Sequence, residues 1–489
     1  MRNRKPFKEG GKSKDKDMDR LEFLQRLGWI GAGATFLPHT LGATTMEFPV
    51  VRKPLDQRNF SSSAIEKAIS DFKLHVKDPE LGWLFENCFP NTLDTTVFLK
   101  SKGKNPDTYV ITGDIDAMWL RDSTAQIWPY LPFMKSDPAL QNLIAGVISR
   151  QTRCILKDPY ANAFYDDESK VSEWKDDLTE MKPGIHERKW EIDSLCYPIR
   201  LAYHYWKLTN DTAPFNESWK QTIQSTLKVF KEQQRKEGQG SYSFQRNTSW
   251  ATDGVPLNGY GYPVKPVGLI CSTFRPSDDA TIFSFLVPSN FFAVVSLKQA
   301  AEMIRSFSHD APLSDALLAL ATEVEKALAV HAVVDHPVYG KIFAYEVSGN
   351  GSYNLMDDAN IPSLLSLPYL GAVEKENKVY QNTRRFLLSE NNPFFFSGNA
   401  GEGIGGPHAG IDMIWPLSII IRGLTSGNDE EIKKCIRMLK SSHGGTGLMH
   451  ESFHKNDARN FTRKWFAWAN TIFGEFLWNT YVNKPSLLV

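Results

Sequence analysis

Apolar residues recur at helical spacing along most of this chain. In AIEKAISDFKLHV, Ile65, Ile69, Phe72 and Val76 fall on one face, and the preceding serines 61–63 supply side-chain oxygens for a first turn. The same period predicts helices over 81–88, 139–156, 192–207, 219–231, 291–307, 313–330, 375–388, 411–422, 430–441 and 464–479. Strand-like pieces are few and short. The β-branched runs 95–99 and 108–112 are expected to pair as a small hairpin. The pattern is that of a mainly α chain.

A loose repeat organises those helices. Polar residues stand just before an apolar helix with an early proline in RDSTAQIWP (Asp122), EIDSLCYP (Asp193), SDDATIFSFLVP (Asp279), MDDANIPSLLSLP (Asp358) and GIDMIWP (Asp412). FAWANTIFGEF, at Asn470, is a sixth instance without the proline. Intervals of roughly 55 to 85 residues leave room each time for a helix, a return helix and a loop. Six helical hairpins closed in a ring make an all-α (α/α)6 toroid with minor short β-hairpins. The six motifs then mark the starts of the inner helices, and their polar ends converge on one mouth. The simpler alternative is that Asp recurs because it caps helices well.

Residues 1–45 read as a leader: a Lys/Arg-rich start, the short apolar run LGWIGAGATFL (27–37), then small residues. DRLEFLQRLGWIG also resembles a degenerate twin-arginine signal. Export, to a periplasm, is therefore expected, with 46–489 as a single catalytic domain. No other run is long and apolar enough to span a bilayer, so no membrane span is expected in the mature protein. The 56 basic and 56 acidic residues cancel, which gives no reason to expect nucleic acid as a partner. The five cysteines are scattered without a CxxC, so free buried thiols are expected rather than a disulfide framework.

The densest candidate chemistry lies in GDIDAMWLRDSTAQIWPYLP (113–132), where Asp116, Trp119, Arg121 and Asp122 crowd together. An aromatic ring covers the C–H face of a sugar, while Asp and Arg take its hydroxyls in pairs. A buried Arg–Asp pair pinning a helix start is the plainer reading. Glycoside hydrolysis needs two carboxyl groups across the sugar, one of them protonated. FRPSDDA (274–280) sets two adjacent carboxylates beside Arg275, which would separate their pKa values; a pair of N-caps is the alternative. Glu451, in GLMHESFHKND, is the candidate base. Its HESFH is a literal HExxH, in which His450 and His454 on a helix would bind zinc, with Glu475 as a third ligand. The preceding glycine-rich loop argues against a helix there, and no metal or other cofactor is expected. HERKWEID (186–193) gathers His186, Glu191 and Asp193 around a Trp. GEGIGGPHAG (401–410) offers a backbone open to a ligand, ending near His408 and Trp415. It fits GxGxxG but lacks the preceding strand of a nucleotide fold. Trp465 and Trp468 read as core.

Taken in order, GDIDAMWLRDSTAQIWPY, HERKWEIDSLCYP, FRPSDDA, GEGIGGPHAGIDMIWP and HESFH closely resemble glycoside hydrolase family 125, the exo-acting α-1,6-mannosidases, over roughly residues 50 to 485. The resemblance implies an (α/α)6 fold, metal-independent chemistry and inversion at the anomeric carbon. It implies a general acid on the SDD motif and a general base at Glu451. The acid is assigned to Asp278, leaving Asp279 to cap the following helix. Asp116, Trp119, Arg121, Asp122, His186, Glu191, Asp193, Arg275, Asp279, His408 and His450 are expected to bind the substrate, an α-mannoside glycan. A monomer or weak oligomer is expected. The rival readings are a non-catalytic carbohydrate-binding toroid and a toroid polysaccharide lyase; neutral charge and paired carboxylates speak against the lyase.

Overall fold

A computed structural model describes residues 48–102 and 105–488, and the expected leader lies outside them. Residues Phe48–Val489 form one compact unit. The chain begins with α1 (Ser63–His75), α2 (Pro79–Cys88), α3 (Leu120–Ile127) and α4 (Pro138–Lys157). It continues through α5 (Ile192–Thr209), α6 (Glu217–Gln233), α7 (Val287–Met303), α8 (Ala311–His331) and α9 (Lys378–Leu387). It ends with α10 (Pro416–Leu424), α11 (Asp429–Ser442) and α12 (Ala467–Asn483). In the inner ring, α3 touches α5, α5 touches α7, α10 touches α12, and α12 returns to α3. The helices α4, α6, α8, α9, α11 and α2 lie outside them, and α2 closes the circle against α11 and α12. This is the helical toroid the repeat predicts.

The two rings differ in how their helices start. Each outer helix is capped by a side chain: Asp78, Asp137, Asn216, Asp310, Asn377 and Asn428 all accept backbone N–H groups, and Ser62 does the same for α1. The inner helices α3, α5, α7, α10 and α12 begin after Trp119, Glu191, Leu286, Trp415 and Phe466, with no side-chain cap. The recurring Asp residues are therefore not caps. Asp122 and Asp193 sit in the first turn of α3 and α5 and turn to other partners. All eight residues of α3 are buried, as an inner helix requires.

The motif at Asp358 does not open a helix. Residues 359–376 run as bends and turns instead. Pro362 and Pro368 remove N–H donors, and Asp357 takes the N–H groups of Leu364 (2.8 Å) and Leu365 (3.0 Å) in place of a helical ladder. The segment still fills its place in the inner ring. Ile361 O accepts from the Tyr197 hydroxyl of α5 at 2.8 Å, and the Tyr369 hydroxyl donates to Glu475 of α12 at 2.9 Å. Glu475 also accepts from Trp128 Nε1 at 3.2 Å, and Arg200 stacks on that Trp at 3.9 Å. This buried cluster fully engages Glu475, away from His450.

Two predicted helices start late, for the same reason. The 411–422 pattern becomes helical only at Pro416, and the 464–479 pattern only at Ala467. In the first, Met413–Ile414 is spent on a strand pair with Ser452–His454, whose other edge pairs with Asp457–Thr462. A second small sheet orders Met118–Trp119, Ala163–Phe164 and Ile185–Glu187. The expected hairpin forms too, Val97 opposite Val110. The five cysteines are free and buried. None of the described helices is long and apolar enough to cross a membrane.

Candidate active site

A cavity of about 240 Å³ opens where the inner helices begin, lined by Trp119, Arg121, Asp122, His186, Asp278, His408, Glu451 and Arg463 among others. It lies just below the usual span of small-molecule sites (roughly 300–1,000 Å³). Arg121 is its hub. Its Nη1 donates to Glu191 at 2.5 Å and Asp193 at 3.3 Å, its Nη2 to Asp278 at 3.2 Å, and its Nε lies 3.5 Å from Asp122. Four carboxyl groups around one guanidinium cannot all ionise cheaply in a buried place. Burial pushes Asp122 and Asp193 each up to about 6 against the pull of Arg121. It pushes Glu191 well above the ordinary range, which favours its protonated form. Asp278 goes the other way. Burial raises it, but Arg121, a hydrogen bond from Glu191, and Lys189 together hold it below the usual carboxylate range.

The loop carrying Asp278 is tight. Asp278 N donates to Arg275 O (2.9 Å), Arg275 N to Asp279 O (2.7 Å), and Asp278 itself has φ 66°. An Asp tolerates that left-handed region better than most residues, at a cost of order 1–3 kcal/mol. The bend separates the two neighbouring carboxyls. Asp278 faces the cavity with its side chain 22% exposed, and Asn162 Nδ2 donates to it at 3.3 Å. Asp279 is buried behind it, 3.5 Å from His408 Nδ1. Although His408 is partly buried, Asp279, with Glu451 and Asp278, pushes it up to about 9, so it is a cation at neutral pH.

Glu451 enters just before the Ser452–His454 strand. Thr462 Oγ1 donates to its Oε2 at 3.0 Å, and Arg463 Nη1 to its Oε1 at 3.4 Å. Arg463 is itself held by Asp114, its Nε donating at 2.9 Å. Asp114 comes within reach because Thr112–Gly113 runs against the entry to α12: Ala467 N donates to Thr112 O at 3.1 Å. Gly113 has φ 127°, and a Cβ there would sit 2.5 Å from Trp465 O. Only glycine fits that crossing.

Several expected residues stand elsewhere. Arg275 turns away from the cavity to Glu346, its Nε donating at 2.7 Å, so it neither borders the SDD carboxyls nor faces a ligand. Asp116 is exposed and pairs with Lys170 at 2.8 Å. Glu191, Asp193 and Asp279 lie one layer behind the wall, reaching the cavity through Arg121 and His408. The His450 ring stacks on Phe461 at 3.6 Å, and its Nε2 lies 3.1 Å from Thr446 Oγ1. HESFH is extended, not helical, so the shared helix face that zinc ligation needs is not formed. In the glycine-rich loop, the missing Cβ of Gly405 makes room for Met413 O of the same chain rather than for a ligand. Trp468 is core, 1% exposed, and also reaches the cavity wall. The site also contains residues the motifs did not single out: Arg463, Asn162, Trp174, Arg246 and Asp253. They come from irregular segments whose polar residues look like any solvated loop; the aromatic–charged run around Trp174 is the nearest thing to a signal.

The chain matches the family model described as "Metal-independent alpha-mannosidase (GH125)" over residues 78–478. It is 41% identical over 461 residues to the Meiotically up-regulated gene 157 protein of Schizosaccharomyces pombe, covering 91% of this chain and 90% of that one. Among solved structures it is similar to a metal-independent alpha-mannosidase of Streptococcus pneumoniae, in a non-productive complex with alpha-1,6-mannobiose. The TM-score is 0.83 and the identity 39%, over 87% of this chain and 100% of that one. The chain belongs to glycoside hydrolase family 125, the metal-independent alpha-mannosidases.

Proposed function

We propose that the protein removes non-reducing terminal α-1,6-linked mannose with inversion, Asp278 acting as general acid and Glu451 as general base. Asp278 protonates the glycosidic oxygen as the C1–O bond breaks. A water molecule attacks C1 from the opposite face and gives its proton to Glu451. The products are β-mannose and the shortened glycan; Glu451 then returns its proton to solvent and Asp278 regains one. Glu191, which burial biases toward its protonated form beside Asp278, acts as the relay: it passes its proton to Asp278 as the glycosidic oxygen takes one, and is itself reprotonated from solvent. The observation that carries the reading is the arrangement of the two carboxyls. Asp278 and Glu451 face one small cavity, and each is held by its own set of donors. Trp119 Nε1, on the cavity wall, is buried without a hydrogen-bond partner in the protein, which suits a ligand rich in hydroxyls. The small cavity, backed by the Arg121 cluster, favours a chain end over an internal sugar.

The test is release of mannose from α-1,6-mannobiose, wild type against Glu451→Gln, with the first anomer read by NMR. The expected result is β-mannose, loss of at least about 10³-fold in the variant, and no effect of a chelator. A Glu451→Gln protein that still binds glycan and keeps its biological role would make this a carbohydrate-binding toroid instead. α-Mannose as first product would overturn the single displacement.

A further inference from the structure

The wall beside Asp278 carries an aromatic platform for which the hydrolytic step has no use. Trp174 lines the cavity and is half-buried. The Arg246 guanidinium covers one face of its ring, 3.7 Å from the centroid. That guanidinium is clamped: Asp177 accepts from it at 2.8 and 2.7 Å, Glu187 at 2.9 Å and Asp253 at 3.4 Å. The Trp174 backbone is fixed as well, its N–H donating to Ser172 Oγ at 2.9 Å. A ring braced this firmly on one side presents a preorganised surface on the other.

Its position follows from the next contacts. Asp253 accepts from Lys189 Nζ at 2.8 Å, and the same Nζ donates to the backbone O of Asp278 at 2.8 Å. A continuous line of contacts therefore joins the acid's own backbone to Trp174. Glu451 is held by other groups, Thr462 and Arg463. The leaving sugar departs from the oxygen that Asp278 protonates, so it must lie on the Asp278 side. The carboxylates of Glu187 and Asp253 beside the ring offer acceptors to its hydroxyls.

We propose that Trp174, backed by Arg246, is the platform on which the leaving sugar stacks, and that it sets the preference for a glycosyl leaving group. The inference rests on Asp278 as the acid, and the experiment separates the two. Steady-state kinetics are measured on α-1,6-mannobiose and on α-mannosyl fluoride, whose leaving group has no ring to stack and needs no proton. For Trp174→Ala the ratio of kcat/KM, mannobiose over fluoride, is expected to fall about tenfold, the size of one good stacking contact. Trp174→Phe should restore most of that ratio. An unchanged ratio, or equal losses on both substrates, overturns the platform. Asp278→Asn run alongside should lose mannobiose far more than fluoride. If it loses both equally, the acid assignment fails while the Trp174 ratio still reads the platform.

Discussion

Glu475 offers a measurement that tests the inner ring by itself, apart from Asp278 and Glu451. It sits on α12 between Trp128 Nε1 and the Tyr369 hydroxyl, and burial pushes its carboxyl from 4.5 up to about 7, only partly offset by the Tyr369 hydrogen bond. Below pH 4.5 the carboxyl is protonated whether the chain is folded or not, and it costs nothing. Between 4.5 and about 7 the unfolded chain releases its proton while the folded one holds it, so stability falls as pH rises; above 7 the loss is complete. Each pH unit of that window is worth ~1.36 kcal/mol, which makes about 3 kcal/mol in all. Glu475→Gln removes the titration. The variant should be level with wild type, or about 1 kcal/mol less stable, near pH 4.5, because its NH₂ meets a donor. It should gain about 3 kcal/mol relative to wild type by pH 8. With an unfolding entropy of roughly 2.1 cal/mol/K per residue over the compact unit, this is a relative rise of about 3 °C in melting temperature. The assay is a pair of thermal melts, variant and wild type, at pH 5 and pH 8. A difference between the two proteins that stays constant with pH would refute a buried, proton-holding Glu475. Turnover of mannobiose should be the same in both.

Two further outcomes are expected. Gly113→Ala, which forces a Cβ against Trp465 O at φ 127°, should cost about 3 kcal/mol and lower the melting temperature by about 3 °C. Unchanged melting would mean the crossing yields more easily than its geometry implies. Arg463→Gln removes the guanidinium that donates to Glu451 at 3.4 Å, so kcat/KM on mannobiose should fall about tenfold. An unchanged kcat/KM would remove Arg463 from any role in holding Glu451.

The helical content was legible because each outer helix carries its own evidence: a one-sided apolar face and a Ser, Asp or Asn before it. Inner helices announced themselves differently, through polar residues set against nearly all-apolar runs such as 467–477. Their starts were misplaced where another demand used the same residues, as when Met413 and Ile414 pair with Phe453 and His454. The turn segment after Asp358 was missed because its apolar spacing resembles a helix, and only the ladder its prolines interrupt tells otherwise. At the site, motif residues such as Arg121, Asp122 and Asp278 were visible as local clusters. Arg463 and Asp114 were not recognisable as partners, because a contact across 349 positions leaves no mark on local spacing. The fate of Arg275 was hidden likewise, since its carboxylate, Glu346, lies 71 positions away.

The crossing of Thr112–Gly113 over the start of α12 also has a consequence for synthesis. The segment that presents Asp114 leaves the ribosome when three quarters of the chain is still unmade, yet Arg463 and Glu451 arrive only near the end. At ~5–20 residues per second, the early half-site waits tens of seconds for the residues that complete it. A nascent or C-terminally clipped chain therefore holds Arg121 without Glu451. Activity is the signature of a finished molecule, and the closing seam is where that completion is recorded.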